Sequence, residues 1–134
     1  MHVHKVRFLS NGSAAVVFLK PAHDERVLPL MVGPAEATAI AIAAQEMATP
    51  RPLTHDLIIE ILKRLEMKVA RVLIDDLKDG TFYSQITFET KGEPWEIDSR
   101  PSDAVALALR SRAPIYVMEH VFEKAAVSGE TISE

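Results

Sequence analysis

His55 and Asp56 stand side by side in "RPLTHDL" (residues 51–57), and Asp98, Arg100 and Asp103 crowd into "IDSRPSD" (97–103). Hydrolysis of a phosphodiester needs an activated water, a polarised phosphorus and a stabilised leaving oxygen. These residue types meet each need. Asp56, Asp98 and Asp103 offer the hard oxygen donors that suit magnesium or manganese. His55 is a candidate general base, and Asp56, Asp98 and Asp103 join it as candidate catalytic groups. Arg51 and Arg100 are candidates for steadying phosphate oxygens. A structural role competes with each of these. Aspartate is favoured in a first helical turn by the helix dipole, and arginine–carboxylate pairs pin loops, where breaking a buried one costs about 3–5 kcal/mol. The two roles separate on one geometric question: whether His55, Asp56, Asp98 and Asp103 converge on an open cleft.

The elements that must position these groups are legible in outline. Thr54 is the expected N-cap of a helix with Asp56 in its first turn, and Leu57, Ile58, Ile61, Leu62 and Leu65 form its apolar stripe. Ile97 and Asp98 end a strand. Pro101 then suits the first turn of a helix through Ala104–Leu109, bracketed by Arg100 and Arg110. Upstream, residues 3–32 alternate as strand material, with a hairpin signal at Asn11-Gly12 and a Pro29 that prefers an edge or a bulge. "GPAEATAIAIAAQEMA" opens on glycine, proline and an early Glu36 and predicts a buried, alanine-rich helix over 35–48. "KVARVLID", "GTFYSQITFE" and "PWEID" predict a second meander with turns at "DLKDG" and "TKGE"; a short strand "PIYVME" and a last helix to about Ala126 follow. The expected class is α+β: two mostly antiparallel strand groups, or meanders, with three to four helices packed on the sheet. One domain is expected over 1–127, with 128–134 a frayed C-terminal tail.

Other clusters have ordinary readings. His2 and His4 alternate on one strand face as an exposed terminal pair. Asp75, Asp76 and Asp79 sit in hairpin-turn chemistry. Lys63, Arg64, Lys68 and Arg71 form the best basic patch, read as a solvated helix face. Tyr83 and Trp95 are read as packed strand aromatics rather than base-stacking platforms. The chain has no cysteine, which excludes disulfides and thiolate sites. No apolar run is long enough to cross a membrane and "MHVHKVRF" lacks a signal-peptide core, so a cytoplasmic location without membrane attachment is expected. A net charge of −4 predicts weak, salt-dependent nucleic-acid binding, strengthened by divalent cations. The apolar helices over 35–48 and 104–109 predict a homo-oligomer.

Four segments in order, "VGPAEATAI" (32–40), "RPLTHDL", "DGTFYSQI" (79–86) and "IDSRPSDAVALALRSRAPIYV" (97–117), resemble the bifunctional nuclease (BFN) domain family of bacteria and plants. The resemblance covers roughly residues 3 to 127. Two departures stand out: Ser84 and Ser99 each replace an alanine usual in the family. What the resemblance implies is a nuclease acting on both RNA and DNA; little sequence preference is expected, and the carboxylates add the expectation of a divalent metal such as magnesium or manganese. Asp56, Asp98 and Asp103 would be its ligands, although no metal-binding motif is present: "THD" is not His-Glu-x-x-His. The alternative is a non-catalytic oligomeric binding or regulatory module in which the arginine and aspartate motifs are architecture.

Overall fold

In the computed structural model, which describes residues 1–132, strands β1 (His2–Phe8), β2 (Ala15–Lys20) and β3 (Arg26–Val32) form an antiparallel meander. The first turn uses Asn11-Gly12, with Gly12 at φ 72° and the Asn11 carboxamide oxygen accepting the Ser13 N–H at 3.0 Å. Helix α1 (Pro34–Ala44) follows, then α2 (Thr54–Arg64). A second meander comprises β4 (Lys68–Lys78), β5 (Thr81–Glu89) and β6 (Trp95–Ser99). The β4–β5 turn is two residues, Asp79 and Gly80, both at positive φ, the tight-hairpin arrangement whose twist matches the strands. β4 therefore runs through Asp75 and Asp76, which are strand rather than turn.

Helix α3 (Pro101–Ser111) then returns the chain so that β7 (Ile115–Val117) lies parallel to β4, and α4 (Glu119–Ala125) leads to a short β8 (Val127–Ser128) against β3. The sheet orders are β1-β2-β3-β8 and β6-β5-β4-β7. The architecture is α+β, mostly antiparallel, with four helices. β8 pairs with Arg26 and Val27 alone, so Pro29 lies where β3 has no partner on that side, and its missing N–H breaks no ladder. Within the expected frayed tail, residues 128–132 form β8 and a 3₁₀ turn (Gly129–Ile132); residues 133 and 134 lie outside the described residues.

α3 is the centre of the molecule. Five consecutive residues, Ala104–Ala108, are buried, so neighbours cover the helix all round. All five join Val72, Ile74 and Ile86 of the second sheet in one apolar cluster, and the small size of Ala104, Ala106 and Ala108 lets neighbours approach closely. Each fully buried Val, Leu or Ile contributes about 1.5–3 kcal/mol of transfer free energy.

Two expectations about the helices change. α1 is shorter than predicted and only half covered: Ala37, Ala39 and Ile40 face inward, while Ala35 and Thr38 are exposed. α2 divides its apolar residues. Ile58, Ile59 and Leu62 pack on the core, whereas Leu57, Ile61 and Leu65 face outward. The helix lies over α3 along one side, which is narrower than the apolar stripe.

Candidate functional site

α1, α2 and α3 all begin without a side-chain N-cap: the N-cap residues are Gly33, Leu53 and Arg100. Thr54, the expected cap, is the first helical residue instead. Each helix carries a carboxylate three positions after its N-cap, namely Glu36, Asp56 and Asp103. Such carboxylates answer the partial positive charge of unpaired first-turn N–H groups. The three N-termini open on one groove of about 750 Å³ between α1 and α2. Its walls are apolar at Ala39, Ile42, Leu53 and Ile58 and polar at Glu36, His55, Arg100 and Asp103.

Arg100 organises the polar end. Its Nε donates to Asp103 Oδ2 at 3.0 Å, and its terminal nitrogens reach Asp103 Oδ1 at 3.3 Å and Glu36 Oε1 at 3.2 Å. The side chain remains 64% exposed, so the guanidinium that Glu36 and Asp103 share also faces the groove mouth. Glu36 folds back on its own helix start, and a Cβ on Gly33 would collide with its carboxylate.

Asp103 Oδ1 also pairs with His55 Nε2 at 2.9 Å. Burial pushes the Asp103 carboxyl up, but hydrogen bonds from Arg100 and His55, with their charges, outweigh it and hold it below the usual carboxylate range. His55 is nine-tenths buried, and its Nδ1 has no partner among the described residues. A carboxylate only accepts, so Nε2 is the donor in this contact. His55 thus orients Asp103, and the solvent-facing acid of the pair is Asp103.

Asp56, although adjacent to His55, belongs to a different assembly. Its Oδ2 accepts the Leu53 N–H at 2.8 Å and its Oδ1 accepts Arg110 Nε at 2.7 Å. Arg110 is 8% exposed and also donates to the carbonyls of Ala106 at 3.1 Å and Ala39 at 3.2 Å. One buried guanidinium thereby ties α1, α2 and α3 together. Burial pushes the Asp56 carboxyl up, yet the Leu53 N–H and Arg110 hold it below its usual range.

Asp98 lies elsewhere. In β6, Ile97 and Ser99 stand opposite Ile86 and Ser84, whose side chains are buried beneath α3. Alternation turns Asp98, opposite Gln85, to the other face of the sheet. Arg51 is exposed just before α2 and is not in the groove lining. The structure therefore brings His55, Asp103 and Arg100 together, adds Glu36, and leaves Asp56, Asp98 and Arg51 apart. Among the described residues no three His, Asp or Glu side chains form a group able to hold a metal ion. Asp56, Asp98 and Asp103, held in three separate places, do not fit the magnesium or manganese role expected of them.

The remaining clusters are surface features. His2 and His4 make an edge-to-face ring contact on exposed β1, and Tyr83 and Trp95 are exposed rather than packed. Arg64 pairs with Glu60, Lys68 with Glu89 and Lys91 with Glu66. Among the described residues no helix is long and apolar enough to cross a membrane.

A family model described as the bifunctional nuclease domain matches residues 17–130. The chain belongs to the bifunctional nuclease domain family. It is 44% identical over 110 residues to an uncharacterized protein of Mycobacterium tuberculosis (strain ATCC 25618 / H37Rv), a match covering 82% of this chain and 65% of that relative. It is 26% identical over 110 residues to Bifunctional nuclease 1 of Oryza sativa subsp. japonica, covering 80% of this chain but 33% of the rice protein. The chain thus spans under two-thirds of the first and a third of the second. The bifunctional nuclease domain match takes in all three helix starts around the groove.

Glu36, by its sequence position only a helix opener, is also a member of this group. A signal was present: glycine at the N-cap and a carboxylate three residues on is the spacing that aims a side chain back across the helix start. Ser84 and Ser99 are register partners, with Ser84 Oγ donating to the Ser99 carbonyl at 2.7 Å and lying 3.0 Å from Ser99 Oγ. The two departures from the bifunctional nuclease domain pattern are thus a single contact.

Proposed function

We propose that this domain hydrolyses RNA and DNA phosphodiester bonds, with little sequence preference, in the groove between α1 and α2. One observation carries the reading: an exposed guanidinium, Arg100, in the groove on which the starts of α1, α2 and α3 open. Helix N-termini and arginine are the two protein features best matched to phosphate oxygens. In the proposed reaction Arg100 leaves Glu36 to contact the phosphate, while Asp103, oriented by His55, receives a proton from the attacking water. The new bond forms from water oxygen to phosphorus, the bond to the departing sugar oxygen breaks, and that oxygen takes a proton from solvent. A carboxylate held below its usual range is a weak base, so its contribution falls toward the low end of about 10²–10⁴-fold for positioned proton transfer. The rice relative's name supports the reaction class.

A second reading has its own support: Glu36 and Asp103 already have Arg100 as a partner, as expected of a groove that binds without cleaving. Labelled single-stranded RNA and DNA, incubated with purified protein in magnesium, in manganese or in chelator, separate the two. Cleavage by wild type, reduced at least about tenfold in Asp103→Asn, supports the enzyme. A folded wild type that cleaves under none of these conditions, or an Asp103→Asn variant at the wild-type rate, overturns the catalytic assignment.

A further inference from the structure

We infer that the groove is a single-nucleotide site: it takes one phosphate at the Arg100 end and one unstacked base along the apolar wall, and it excludes duplex. The inference rests on the proposed phosphate role of Arg100. Its first support is polarity. Glu36, His55, Arg100 and Asp103 gather at one end, and Ala39, Ile42, Leu53 and Ile58, with Thr38 and Thr54 between them, line the rest. A nucleotide has the same division between phosphate and base. Its second support is size. About 750 Å³ lies within the ~300–1,000 Å³ that holds a small molecule. A groove of this volume suits one splayed base better than a stacked pair, which would bring its second strand with it.

Its third support is charge. Arg64, Lys68, Lys91 and Arg112 are paired with Glu60, Glu89, Glu66 and Glu46, and the chain carries −4 overall. Successive phosphates of a long strand therefore gain little, and affinity comes from one phosphate and one base. A fourth observation is the fixed polar end: His55, nine-tenths buried in the groove wall, holds Asp103 through Nε2 at 2.9 Å, so the carboxylate beside Arg100 is set before a ligand arrives.

Calorimetry with adenosine 5′-monophosphate, inorganic phosphate, a dinucleotide, a roughly 20-nucleotide single strand and the matching duplex tests this. Adenosine monophosphate should bind at least about tenfold tighter than phosphate alone, because the base adds a contact. Dinucleotide and long strand should agree within about threefold per site, with a salt slope near one phosphate, and duplex should bind about tenfold more weakly. Thr38→Trp, at an exposed groove position, should weaken adenosine monophosphate about tenfold while sparing inorganic phosphate; Arg100→Ala should weaken both. Circular dichroism checks that each variant is folded. Affinity that climbs with strand length, duplex bound as tightly as single strand, or phosphate equal to the monophosphate overturns the inference. A monophosphate has no diester to cleave, so its binding is independent of catalysis. Binding without cleavage retains the site and removes the nuclease; cleavage without monophosphate binding does the reverse.

Discussion

Arg110→Ala should destabilise the domain far more than Arg100→Ala, although both arginines hold an aspartate near a helix start. The Arg110 guanidinium is 8% exposed and makes three hydrogen bonds, to Asp56 and to the carbonyls of Ala39 and Ala106. Its removal leaves a carboxylate and two carbonyls short of a donor. A fully buried pair broken on one side costs about 3–5 kcal/mol. Asp56 keeps 37% of its side chain exposed, and water there offsets part of the loss, so we expect about 2–4 kcal/mol. At roughly 4 °C per kcal/mol for a chain of this size, Tm should fall by about 8–16 °C. Arg100 is 64% exposed, and an exposed pair contributes at most about 1 kcal/mol, so its variant should melt within about 4 °C of wild type. Asp56→Asn should fall on the Arg110 side of this divide, because it strands the buried guanidinium. Thermal unfolding followed by circular dichroism, with urea titration as a second measure, reads all three. Equal losses in Arg100→Ala and Arg110→Ala would refute the reasoning, since burial would then not set the cost.

The Asp103 carboxyl is held below its ordinary value of 3.8, so its stabilising contribution is present above about pH 4 and is lost as pH falls through the folded value. The gap in urea midpoint between wild type and Asp103→Asn should accordingly narrow from about pH 6 to about pH 3; a gap that widens contradicts the sign. Asp98→Asn should cleave and melt like wild type, because the side chain lies on the sheet face away from α3, and a large loss of cleavage would return Asp98 to the site. Self-association, proposed from the sequence, should run through the outward Leu57, Ile61 and Leu65, so Ile61→Glu should lower the mass read by light scattering. A wild-type monomer at micromolar concentration removes that proposal. Ser84→Ala should cost about 1 kcal/mol by leaving Ser99 Oγ unpaired, and adding Ser99→Ala should recover part of it; simple additivity in the double variant rules out the coupling.

Much of the fold follows from local chemistry. Asn11-Gly12 and Asp79-Gly80 sit at turns that require positive φ, and Pro34 and Pro101 start helices where a missing N–H is harmless. Alternation locates β1 to β6, although it ends β4 too early and does not show β8. What alternation does not reveal is which face is covered. The apolar residues of α2 read as one stripe, yet only Ile58, Ile59 and Leu62 have a neighbour to pack on, because the width of covered surface is set by α3. The oligomer argument moves for the same reason: Ala104–Ala108 are apolar on every side because the chain's own sheets and helices enclose them.

The candidate site divides along a similar line. His55 and Asp56 are neighbours in sequence, but successive helical residues point about 100° apart. One therefore reaches Asp103 near the start of α3, the other Arg110 near its end. Glu36, Asp56 and Asp103 are equivalent by position, each three residues past an N-cap and each bound by an arginine. Their arginines are not equivalent. Arg110 spends its donors on buried carbonyls and has little surface left to meet a ligand. Arg100 binds only carboxylates, at the surface, in an arrangement a phosphate oxygen can replace without unsatisfying the backbone. The same residue pair is thus a clamp in one place and a candidate site in the other, and the burial of the arginine, which no spacing in the sequence encodes, decides between them.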